Sequence, residues 1–334
     1  MCYNRLVQPT RQPANPPTDQ PKKPRRIKRL GLHGPAPMPE AGRRIMAFHF
    51  ARLRKLESKV ARADEEAIHD MRVAIRRLRA AFRIAGPYFK RKTIRSFRAD
   101  LRQLADALGA ARDLDVIIAH GSAFAQRQPP AAPKLDVWLD HLRARRADAQ
   151  RNLLDHLASK QFAKFAEAFE AFVAGPETAL EPGDHPAGPS RVCDVIPAAI
   201  WTQYSIVRSY EAVANPPLES LHALRIEFKR LRYLLEFFRE VLGRGADRLI
   251  ELTVRAQDHL GLLNDAVVAS RLIGEFLAQH ATSGMSAGDL AALVAYLSEL
   301  QSEIQARRDQ FPEMWREITD KSFRRQLARV LSNV

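Results

Sequence analysis

Cysteine is nearly absent from this 334-residue chain: only Cys2 and Cys193 occur. Two residues so far apart make a poor structural crosslink, which argues against a disulfide framework and fits a reducing compartment. Long apolar runs are missing as well. No stretch of eighteen or more apolar residues occurs, so no membrane-spanning helix is expected. Prolines occupy the N-terminus where a secretory signal would need an apolar core. The expectation is a soluble, cytoplasmic protein with no membrane partner. Sustained alternation of apolar and polar residues is lacking, which speaks against a sheet. Acidic residues are in deficit: 38 Asp and Glu face 53 Lys and Arg, for a net charge of +15. That balance predicts attraction to polyanions without specifying a fold.

The length allows one large core or two ordinary ones. Residues 1–39 carry eight Lys or Arg against Asp19, a net of +7, among many prolines. Such a segment buries too little apolar surface to offset chain entropy and is expected to be a disordered basic tail. From Glu40 onward apolar residues recur at three and four, and Ala, Leu, Arg and Glu dominate. Asp64 reads as an N-cap, with Glu65 and Glu66 in the favourable first turn. Gly86-Pro87 reads as a stop. A helix over 88–108 is expected to break near Gly109, with another over 113–126. Later helices are expected over 132–158, 162–174, 192–214, 216–242, 246–262, 265–280, 287–308 and 321–331. Between them, residues 175–190 hold four Pro and three Gly, a linker composition. The division is therefore a helical bundle over 40–174, a linker over 175–190 and a second bundle over 191–334. The fold class is all-α.

The two halves repeat one another. "IHDMRVAIRRLR" (Ile68 to Arg79) returns as "LHALRIEFKRLR" (Leu221 to Arg232), 153 residues later. "LGAARDLDV" at Leu108 returns as "LGLLNDAVV" at Leu260, 152 residues later. One residue of slippage over some forty positions suits a duplicated helical unit.

Wound at about 100° per residue, His69, Arg72, Arg76, Arg79 and Arg83 fall within an arc of roughly 80°. Ile68, Met71, Ile75, Leu78 and Phe82 form a separate apolar stripe. His222, Arg225, Lys229 and Arg232 repeat the cationic row, and Leu221, Leu224, Phe228, Leu231 and Leu235 repeat the seam. Arg77 and Arg230 extend the basic runs but lie off the main stripe. The next helix adds Arg91, Arg95, Arg98 and Arg102 at helical spacing. From His69 to Arg102 there are eleven Lys or Arg against Asp70 and Asp100. Like charges at i,i+4 cost a few tenths of a kcal/mol per pair, and an ordinary solvated face intersperses Glu to relieve them. Facing basic rows on two antiparallel helices make a positive groove that an anion would relieve. Guanidinium suits phosphate because its planar fork donates two parallel hydrogen bonds. The bland alternative, a solvated face beside a core, is harder to sustain for two copies in register.

These paired motifs resemble the CHAD family, the conserved-histidine α-helical domain, over about 42–331. The resemblance implies two four-helix bundles related by a pseudo-twofold, with long basic helices lining a central pore or groove that binds inorganic polyphosphate. By motif position the ligand-facing residues would be His69, Arg72, Arg76 and Arg79 with His222, Arg225, Lys229 and Arg232. This sequence departs from its own first copy in the second: Lys229 replaces Arg76 and Asn264 replaces Arg112. Glu227 and Glu236 add acid there, so a weaker hold in the second half is expected. The acidic signature of the triphosphate-processing domain often fused to such proteins is not found. A stand-alone, non-enzymatic binding protein that associates with polyphosphate granules is expected, with no cofactor.

Other readings rank lower. No HExxH or Cys pair accompanies His69 and His222, and nearby arginines would repel a metal ion. His69-Asp70 becomes His222-Ala223 in the second copy, which removes the Asp that an HD-type phosphohydrolase needs. His33, His49, His120, His141, His156 and His259 are read as surface or packing residues. Phe162, Phe165, Phe169 and Phe172 are read as core, and Asp113 and Asp265 as helix caps before orienters of basic side chains. Nucleic acid is the main competitor, as a weak, nonspecific ligand. The motif helix lacks interleaved aromatics for stacking and the Asn or Gln that reads bases. Scaffolding of a granule through the same surface is a third class.

Overall fold

The computed structural model describes residues 30–62, 64–175, 189–212, 215–280 and 285–334. Most of the expected tail and linker, residues 1–29 and 176–188, lies outside the described residues. Among those described there are eleven α-helices and no strand. In the first half they are α1 (Met38–Val60), α2 (Glu65–Ala85), α3 (Arg91–Arg127), α4 (Asp136–Ala158) and α5 (Lys160–Ala174). In the second they are α6 (Val192–Ser209), α7 (Leu218–Phe237), the single turn α8 (Arg239–Leu242), α9 (Ala246–His280), α10 (Ala287–Thr319) and α11 (Lys321–Leu331).

Local chemistry sets several boundaries. The Asp64 side chain accepts from the Ala67 amide at 3.0 Å and starts α2. Gly86-Pro87 ends it in a single 3-10 turn, Gly86–Tyr88. Gly243, at φ +72°, ends α8, a conformation that favours glycine. The expected breaks at Gly109 and after Leu262 do not occur: α3 and α9 run unbroken through both. A helical glycine costs only about 1 kcal/mol against alanine, and the buried residues on either side outweigh it. Those are Leu108 and Ala111 in α3, and Leu260 and Leu263 in α9. For the same reason α10 continues beyond Arg308 and through Pro312, because Phe311, Met314 and Trp315 pack on the large core. The folded part also begins earlier than expected. Leu32, Ala36 and Met38 are buried although they fall in the presumed tail.

Equivalent helices make equivalent neighbours. α1 packs on α2, α2 on α3, α3 on α4 and α4 on α5; α6 packs on α7, α7 on α9, α9 on α10 and α10 on α11. Between halves α1 meets α6, α2 meets α7 and α3 meets α9. Like meeting like is the mark of an isologous, twofold interface, here within one chain. Each half has four long helices and a shorter terminal one. Both halves contribute to both hydrophobic clusters. The larger takes in α1, α2, α5, α6, α7 and α11 with the N-terminal parts of α3 and α9. The smaller joins the C-terminal parts of α3 and α9 to α4 and α10. Phe162, Phe165, Phe169 and Phe172 are buried and meet Phe50, Phe82 and Phe97, as core residues should. The α2–α7 contact, where the two repeated motifs meet, positions the site.

Candidate functional site

Two contacts set the register of α2 against α3. Arg72 donates from Nη1 to the Gly109 carbonyl at 3.2 Å and pairs with Asp113 at 2.9 Å. Near the other end, Arg98 donates to the Phe82 carbonyl at 2.5 Å. The antiparallel register so defined sets Arg102 beside Arg79, with Arg91 and Arg95 beyond the C-terminal end of α2. The second half keeps the arrangement. His222 Nδ1 lies 2.6 Å from Asn264 Oδ1, and Arg225 crosses Gly261, whose Cβ position would stand 3.9 Å from its Nε. The Leu-Gly motif thus has a physical role. At each glycine an arginine from the preceding helix passes over bare backbone, and at Gly109 it takes the carbonyl. Asp113 and Asp265 sit in mid-helix, so capping is excluded. Asp113 pairs with Arg72, and the charge of Asp265 acts on Arg225.

The two motif helices bring their rows together. Arg72 and Arg76 from α2 act electrostatically on both Arg225 and Lys229 from α7. The pairing is reciprocal, as a twofold demands. Arg76 and Lys229 are equivalent positions that face each other, and so are Arg72 and Arg225. Burial, then the charges of Arg225, Arg76 and Arg72, hold the Lys229 ammonium at a pKa of about 7. Burial likewise lowers Arg225, against the favourable charge of Asp265, whose own carboxyl is pushed up by burial. The Nε donors of Arg76 and Arg225 are buried without a protein acceptor, as are those of Arg77 and Arg230. A buried donor left unpaired costs about 1–3 kcal/mol.

Not every cation of the sequence motif is available. Glu236, only 6% exposed, accepts from Arg232 Nε at 2.6 Å and pairs with Arg77 at 2.7 Å. Arg230 pairs with Glu227 at 2.5 Å. Arg77, Arg230 and Arg232 thus lie against carboxylates, as Arg72 does against Asp113. Arg79 and Arg83 reach solvent, and Arg83 stands among Arg230, Arg79 and Arg98. Arg91, Arg95 and Arg102 are exposed along α3. His69 and His222 are exposed at the start of their helices. The structure therefore gathers Arg72, Arg76, Arg225 and Lys229, flanks them with Arg79, Arg83, Arg98 and Arg102, and sets Arg91 and Arg95 farther out.

Tyr233 was not singled out by the repeat of cations. It is buried at 5% exposure, with the guanidinium carbons of both Arg76 and Arg77 at 6.0 Å from its ring centroid. Its ring holds the two arginines of the other half in place. A signal for Glu236 existed: it occupies the repeat position of Arg83, so a sign change was visible in the alignment of the halves.

Comparisons with known proteins agree with the fold. A family model described as the CHAD domain matches residues 44–274. The uncharacterized protein Rv2226 of Mycobacterium tuberculosis (strain ATCC 25618 / H37Rv) is 27% identical over 310 residues. That match covers 88% of this chain and 56% of the relative, so the chain spans little more than half of its length. The uncharacterized protein MT2285 of strain CDC 1551 / Oshkosh matches with the same identity and coverage. Among solved structures, the CHAD domain from the plant Ricinus communis is similar with a TM-score of 0.62 at 22% identity, covering 89% of this chain and 93% of that one. PptA from Streptomyces chartreusis is similar with a TM-score of 0.66 at 17% identity, covering 84% of this chain and all of that one, 100%. At such identities the likeness concerns the fold. Among the described residues no helix is long and apolar enough to cross a membrane.

Proposed function

The chain belongs to the CHAD domain family, and we propose that it binds inorganic polyphosphate, without catalysing its turnover, at the cationic centre shared by its two halves. One observation carries the reading: Arg72, Arg76, Arg225 and Lys229 converge from two repeats, and like charge together with burial depresses Lys229. Such convergence is unfavourable in the free protein and is relieved by a multivalent anion. The guanidinium groups of Arg76 and Arg225, half-buried at the centre, carry planar forks suited to phosphate oxygens. Tyr233, beside Arg76 and Arg77, is buried and offers no open face for a base. That favours a base-free polymer over DNA or RNA. Localisation to polyphosphate granules follows as part of the proposal.

Competition among polyphosphate, duplex DNA and RNA at one ionic strength tests it. Polyphosphate is expected to bind most tightly, with affinity falling as salt rises through counterion release. Replacing Arg76 and Arg225 together by Gln is expected to weaken polyphosphate at least tenfold, with helical content unchanged. Tighter binding of DNA or RNA would instead favour a nucleic-acid protein, and an unaffected double variant would reject this centre.

A further inference from the structure

The repeat is not symmetric in charge, and the asymmetry has a direction. Pseudo-twofold equivalents can be compared pair by pair. Arg77 faces Glu236 across the halves. The equivalent pair, Arg230 and Arg83, sets two cations near each other. Glu236 is the repeat position of Arg83, so one side of the interface carries a carboxylate where the other carries a guanidinium. Arg230 turns instead to Glu227 on its own helix, one turn back; the charge of Glu227 also acts on Arg83, which makes no ion pair among the described residues.

The same one-sidedness extends to the following helix. Arg91, Arg95, Arg98 and Arg102 lie along one face of α3. Their equivalents at an offset of 152 are Gly243, Asp247, Ile250 and Val254, with no cation among them. Most cations that α9 and its approach carry are occupied: Arg239 pairs with Asp247, Arg248 with Glu251 and Arg255 with Glu317, while Arg244 makes no ion pair among the described residues. On the first-half side Arg79, Arg91, Arg95 and Arg102 have no ion pair among the described residues. Arg72 to Arg83 spans eleven residues of α2, about 16 Å of helix, and the α3 row continues past its end.

Building on the polyphosphate reading, we propose that the bound chain leaves the shared centre in one direction only, along α2 and α3 of the first half, because the Glu236 carboxylate closes the equivalent path in the second. Arg72, Arg76, Arg225 and Lys229 hold the origin of the track. Arg79, Arg83 and Arg102 continue it, and Arg95 and Arg91 extend it beyond the end of α2. Glu236 is a specificity-determining residue here. It holds Arg77 and Arg232 against itself and so withdraws both guanidiniums from a phosphate chain.

The test uses the full chain and polyphosphate at fixed ionic strength. One variant replaces Arg79, Arg95 and Arg102 by Gln; another replaces Arg244, Arg248 and Arg255 by Gln. All six side chains are exposed and each variant loses the same charge. The first set is expected to weaken binding at least tenfold and the second less than twofold. Equal losses, or a larger loss for the second set, overturn the one-sided track while leaving polyphosphate binding intact. A wild-type protein that prefers DNA or RNA overturns the parent reading and this proposal with it. Arg83→Glu copies the Glu236 arrangement onto the first half, opposite Arg230. It is expected to keep or raise the melting temperature and lose affinity more than tenfold. Unchanged affinity in that variant overturns the role given to the carboxylate.

Discussion

His49 and Lys229 show how burial and neighbouring charge decide what a single residue contributes. His49 is 2% exposed, between the rings of Phe48 and Phe237. Burial, then the charges of Arg77 and Arg52, holds its pKa at about 3. The folded value lies below the unfolded one, so the unfolded chain takes up the proton first. Stability is therefore lost as pH falls below about 6.5, and the loss levels off near the folded value. From pH 7 to 4 the wild type is expected to lose on the order of 3 kcal/mol more unfolding free energy than His49→Leu, measured by urea unfolding. Lys229 follows the same logic at higher pH. Its folded pKa of about 7 lies below the ordinary lysine value of 10.5, so its penalty grows as pH falls from 10.5 to 7 and is constant below. Lys229→Met is expected to stabilise the protein at pH 6 and much less at pH 10. A bound polyanion favours the charged ammonium, so affinity should decline from pH 6 to 9, and Lys229→Arg should flatten that decline in a titration. The cationic identity of position 229 was legible from the repeat. Its depressed basicity was not, because it arises first from burial in the tertiary structure and then from the charges of Arg225 and of Arg76 and Arg72, the last two more than 150 residues away in sequence.

Helices were legible where local signals agreed with packing. α2 begins at the Asp64 cap and ends at Gly86-Pro87, and α11 has the expected bounds. Asp64→Ala is expected to cost about 1 kcal/mol in thermal or urea unfolding, as loss of an N-cap does. Gly109 and Gly261 were misleading. A glycine in a helix is a weak stop, and here it clears space for an arginine from the neighbouring helix. Gly42 makes a tighter approach: a Cβ there would stand 2.3 Å from the Ala85 Cβ, where α1 meets α2. Gly42→Ala is expected to destabilise the fold by about 1–3 kcal/mol, the usual scale of overpacking. An unchanged urea midpoint would contradict that close contact.

At the scale of the molecule, residues 30–38 tie the halves together. The backbone amides of Leu30 and Leu32 donate to the carboxylate of Glu240 in α8. Val192 and Cys193 at the start of α6 donate to the carbonyls of Ala36 and Gly34, and Met38 donates to Ser190. Removal of residues 1–29 is therefore expected to leave the melting temperature near wild type, whereas removal of 1–39 should lower it by several degrees. The second truncation takes away the buried Leu32, Ala36 and Met38, at about 1–3 kcal/mol for each large apolar side chain.

By itself the sequence determined the helical class, the duplication, the apolar seams and the cationic rows, because periodicity and repetition are properties of the chain read in order. It also carried the sign change from Arg83 to Glu236. Only the tertiary structure decided which cations converge and which are neutralised. Arg72 and Arg76 meet Arg225 and Lys229, while Arg77 and Arg232 fall to one carboxylate. The strength of a charge depends on distance and burial in three dimensions, and neither is written in the spacing of residues along a helix.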